Sequence, residues 1–109
     1  MQKKIYKVRS KVWLYPGVAG WHFLNVNEKV SKELREKYKK IRRGFGSLPV
    51  EVTIGPTSPR LRRASKTTWK TSIFPDKRSQ TYLLPLKAKV RAAEGIAADD
   101  TITFSFRIR

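Results

Sequence analysis

A chain of 109 residues has room for one ordinary domain; with no cysteine and a single histidine, His22, it has no disulfide, no thiolate metal site and no Cys/His cluster. Twenty-five lysines and arginines against eight aspartates and glutamates leave a formal net charge of +17, which draws polyanions such as nucleic acids or anionic headgroups. No apolar run approaches the roughly 20 residues of a membrane span, and the basic N-terminus leads into alternating residues instead of a signal peptide's apolar stretch. A soluble, cytoplasmic protein with no membrane partner is therefore expected.

Residues 3–15 alternate, with Tyr6, Val8, Ser10, Val12 and Leu14 on one face and Lys7, Arg9, Lys11 and Trp13 on the other. That period predicts a strand with a solvated basic face. Pro16, Gly17 and Gly20 supply a turn, and residues 21–26 return as the second strand of a hairpin. Asn27 is a natural N-cap, since its side-chain oxygen accepts from the open amides of a first helical turn. Val30, Leu34, Tyr38 and Ile41 then form one apolar stripe. Glu28, Glu33 and Glu36 each precede a lysine by four residues (Lys32, Lys37, Lys40), the spacing of helical ion pairs. Gly44 and Gly46 end the helix.

Residues 48–54 read as a strand, with Pro49 near its start. Residues 55–66 have no period, two prolines and several arginines, and read as an exposed basic loop. Residues 67–74 and 81–86 are further strands around a turn at 75–79, with an edge or a bend expected at Pro85. Residues 87–93 fit two helical turns closed by Gly95. Residues 101–109 alternate cleanly, with Ile102, Phe104, Phe106 and Ile108 inward. Short strands without alternating βαβ units predict a mainly β protein, an antiparallel barrel or sandwich, with one main α-helix and a short second helix.

Four segments carry a family resemblance: Gly44-Phe45-Gly46-Ser47-Leu48-Pro49-Val50, Trp69-Lys70-Thr71-Ser72-Ile73-Phe74-Pro75, residues 82–91 from Tyr82-Leu83-Leu84-Pro85-Leu86, and Gly95-Ile96. With Trp13 and Trp21-His22-Phe23 they resemble, in order along nearly the whole chain, the domain of unknown function 1905 family. The resemblance implies a closed six-stranded antiparallel barrel of the double-split type, an architecture shared with DNA-binding transition-state regulators and antitoxins. It also implies a neighbourhood, since family members are often found beside or fused to a domain named for bacteriocin protection. On this reading residues 1–109 are a single β-barrel domain, and 56–66 a basic loop inserted where the family has a short turn. Asp99-Asp100 stands where the family has Gly-Asp, so Asp99 is expected in the left-handed conformation an aspartate tolerates.

Catalysis finds little to work with. Nucleophilic chemistry needs a base beside its nucleophile, and the one imidazole is His22, beside Trp21 on a strand; the carboxylates are few, and three of the eight are spaced against helical lysines. The domain is expected to be no enzyme and to use no cofactor. Weak contact with nucleic-acid backbone is the leading expectation, through Arg60, Arg62, Arg63 and Lys66 in the loop and Lys39, Lys40, Arg42 and Arg43 at the helix end. The alternative is a protein-interaction or small-anion-binding domain. Its pocket would gather Lys70, Thr71, Ser72, Lys87, Lys89 and Arg91, holding phosphate or carboxylate by charge-assisted hydrogen bonds. The same residues equally suit hydroxyls bonded to backbone and lysines in water. Trp21, Trp69, Phe74 and Tyr82 fit two roles as well, as stacking surfaces for bases or as filling for a core.

Overall fold

A computed structural model of the chain describes residues 4–16, 20–38, 46–54 and 67–109. Its elements are β1 (Ile5–Lys11), β2 (Trp13–Leu14), β3 (His22–Asn25), α1 (Glu28–Lys37), β4 (Leu48–Ile54), β5 (Thr67–Asp76), β6 (Thr81–Leu86), α2 (Ala88–Glu94) and β7 (Thr101–Ile108). The strands form one antiparallel sheet in the order β1-β7-β4-β5-β6-β3-β2. This is a mainly β fold with two helices, but the sheet is an open half-barrel of seven strands and not the closed six-stranded barrel expected.

The extra strand comes from Val12. The alternating run at the N-terminus changes partner there: β1 pairs with β7, and β2 pairs with β3 at the far end of the sheet. Between them the Val12 amide donates to the Asp100 carbonyl, and the Val12 carbonyl accepts from the Asp99 amide. Alternation encodes which face a side chain takes, not which neighbour its backbone meets, so the partner change leaves no mark in the period.

Period 2 does fix the interior. Leu48, Val50, Val52 and Ile54 of β4, and Ile102, Phe104, Phe106 and Ile108 of β7, are all buried. They meet Tyr6 and Val8 from β1, Leu24 from β3, and Leu84 and Leu86 from β6 in one core. The helix α1 begins as its sequence requires: the Asn27 side chain accepts from the Val30 amide at 2.8 Å. Leu34 is fully buried, with Val30 and Tyr38 packed against the core; Ile41 lies outside the described residues. Glu33 does not pair with Lys37 as its spacing suggests. It turns to β1, 3.1 Å from the Lys4 ammonium, and accepts from the Tyr6 hydroxyl at 2.8 Å.

The strand β5 also changes partner. Its first residues pair with β4 from Thr67 to Ile73, and its last with β6 from Phe74 to Asp76. Pro85 explains where β6 is released. The Val26 amide donates to the Tyr82 carbonyl, so in antiparallel alternation Tyr82, Leu84 and Leu86 aim their backbone groups at β3, and Leu83 and Pro85 aim theirs at β5. A proline has no amide to continue that ladder, and the pairing with β5 stops at Leu83. Pro85 therefore does not mark an edge strand, since β6 lies between β5 and β3. It opens a split inside the sheet, followed directly by α2, which packs against β5.

Candidate functional site: a groove at the split

Where β5 leaves β6, a groove of about 910 Å³ opens, lined by residues of β3 and the turn before it, β5, β6 and α2. Most of its lining is apolar: Trp21, Phe23, Phe74, Leu83, Pro85 and Leu86. Two of these side chains are conspicuously open to solvent, Trp21 at 54% exposure and Phe74 at 44%. Phe23 is buried and holds Trp21 in place, with ring centroids 5.8 Å apart; Trp13 and Tyr15 close on Phe23 at 5.3 and 5.7 Å. Four rings thus cluster about Phe23 at β2 and β3, and the exposed indole rests against the edge of that cluster.

The polar lining is sparse and largely committed. The Arg91 guanidinium donates to the carbonyls of Leu86 and Gly20, at 3.3 and 3.2 Å. Gly20 (φ +81°) presents that carbonyl also to His22 Nδ1, at 2.9 Å. A carbonyl oxygen only accepts, so Nδ1 carries the proton and Nε2 of the neutral ring is left as the acceptor. Lys87, at the start of α2, is exposed. None of the lining residues is acidic.

The carboxylates are engaged elsewhere or lie away from the groove. Glu51 pairs with Arg107 at 2.9 Å, and Lys11 stands 3.7 Å from Asp99. Glu94, the last residue of α2, is buried and accepts from the Thr67 hydroxyl. Asp76 accepts from the Ser79 hydroxyl at 2.8 Å, ending a chain of bonds: Trp13 Nε1 to Asn25 Oδ1 at 2.6 Å, Asn25 Nδ2 to Thr81 Oγ1 at 2.8 Å, and Thr81 to Ser79 at 2.6 Å. Ser79 gives its only hydroxyl proton to Asp76, so Thr81 must donate to Ser79, and every bond points toward the carboxylate. That chain fixes β2, β3 and the β5–β6 turn relative to one another.

Of the residues expected in an anion pocket, Thr71, Lys87 and Arg91 line the groove. Lys70 and Lys89 are exposed outside that lining, and Ser72 is half-buried opposite Pro49 of β4. The basic residues expected to meet nucleic acid (Arg60, Arg62, Arg63, Lys66, Lys39, Lys40, Arg42 and Arg43) all lie outside the described residues. The four aromatics divide: Trp21 and Phe74 are exposed at the groove, Trp69 packs against the core, and Tyr82 is fully buried. Sequence reasoning missed His22, Leu83 and Gly20 as lining. The signal available was Pro85, whose missing amide opens the split beside them.

Among the described residues no cluster of His, Asp and Glu is placed to hold a metal ion. The chain belongs to the family of a domain of unknown function (DUF1905), which matches residues 9–106. No curated protein matches the chain. Among the described residues no helix is long and apolar enough to cross a membrane.

Proposed function

We propose that this domain is a non-catalytic binding module whose ligand, a flat apolar body bearing an anionic group, seats in the groove between β3, β6 and α2. The observation that carries this reading is the pairing of two exposed rings, Trp21 (packed on Phe23) and Phe74, with a rim that has Lys87 and no carboxylate. Burying exposed ring surface drives association, and the cation orients the anionic end.

A fluorescent anilinonaphthalene sulfonate tests the reading, since it combines fused rings with one negative charge. It is expected to bind saturably at one site. Trp21→Ala should weaken binding about tenfold, the scale of one lost aromatic stack, and Lys87→Ala should weaken it less. Binding that ignores both substitutions contradicts the reading. A second reading, weak contact with nucleic-acid phosphates through surplus cations, is supported by the net charge of +17.

A further inference from the structure

We propose that the ligand of the groove is single-stranded nucleic acid, its bases stacked on Trp21 and Phe74 and a phosphate held at Lys87. The inference rests on the groove being the ligand site, and it adds the class of ligand.

Three observations point the same way. First, the two exposed rings come from different strands, one just before β3 and one on β5, yet line one groove. Successive bases offer the same flat face to such a platform whatever their identity. Trp21 is already braced by Phe23, so little ordering is needed on binding. Second, charge is complementary. All eight acids of the chain lie among the described residues, and none lines the groove. With a net charge of +17 around it, the site attracts phosphates and has no local carboxylate to repel them. Third, the cations divide their work. The Arg91 guanidinium is held by two backbone carbonyls, leaving Lys87 as the lining cation for a phosphate. A duplex hides its bases within the stack and presents mainly phosphate to such a site, whereas a single strand can splay bases onto the rings.

The test is a fluorescence-anisotropy titration of the full chain with a labelled strand of about eight thymidines, and with a duplex of equal length, at about 50 and 200 mM salt. The single strand is expected to bind at least tenfold tighter than the duplex. Trp21→Ala and Phe74→Ala should each weaken it about tenfold while leaving the salt dependence unchanged, because stacking releases no counterions. Lys87→Ala should instead flatten the slope of log affinity against log salt by about 0.7, the value for one phosphate on a single strand. Both rings are about half exposed, so unchanged melting curves are expected to show that the variants fold. Equal affinity for the duplex, or wild-type affinity in both ring variants, overturns the inference in favour of charge alone. No binding of the strand by a protein that still binds the naphthalene sulfonate overturns the inference but spares the groove. Failure of both ligands removes the groove reading as well.

Discussion

Tyr6 is buried in β1 and donates its hydroxyl to Glu33 on α1, so one side chain joins the first strand to the helix. Burial, and then the bond to the Glu33 carboxylate, push the phenol well above its ordinary range. Its partner moves the other way: the bond from Tyr6, and then that from Lys4, hold the Glu33 carboxyl below the usual carboxylate range. Each shift links stability to pH. The unfolded phenol ionises near pH 10 and the folded one higher, so its contribution is intact below about pH 10 and is lost as pH rises beyond it. The carboxylate contributes above its unfolded pKa, and that contribution is lost as pH falls through the lowered folded value. Tyr6→Phe is therefore expected to flatten the pH dependence of the urea midpoint at both ends. A profile as steep as wild type would show that the pair does not couple strand to helix.

At the scale of elements, α1 is attached through a small polar residue as well as through Leu34. The Ser31 hydroxyl is buried, donates to the Val26 carbonyl at 2.9 Å and accepts from the Tyr82 amide at 3.0 Å. It stands in for a strand just where β3 gives way to the helix and β6 would lose its neighbour. Ser31→Ala takes the acceptor from a buried amide, so a loss of about 1–3 kcal/mol is expected in chemical denaturation. A loss below a few tenths would mean that water replaces the hydroxyl. Elements of this kind were only partly legible. The Asn27 cap, the Gly95 stop at φ 64° and the left-handed Asp99 at φ 74° follow from local backbone chemistry. Ser31 gave no signal, because a serine on a helix is as ordinary in water as in a core until its neighbours are known. The partner change at Val12 was equally silent, since it is decided by β7, which is distant in sequence.

At the scale of the whole molecule, the sheet is an open half-barrel where a closed barrel was expected, with a groove at the split beside Pro85. Charge counting pointed to segments that lie outside the described residues, whereas the groove draws on Thr71, Lys87 and Arg91, grouped from sequence as one pocket, and on Trp21 and Phe74, which were named from sequence but not joined to it. Their assembly depends on the split between β5 and β6, for which Pro85 is the local signal. The central claim, that this groove is where the domain binds, is tested most directly by amide chemical-shift mapping during titration with the naphthalene sulfonate. The account predicts shifts concentrated at residues 20–23, 71, 74, 83, 86–88 and 91. Shifts confined to α1 and β1, with those amides unmoved, would contradict it.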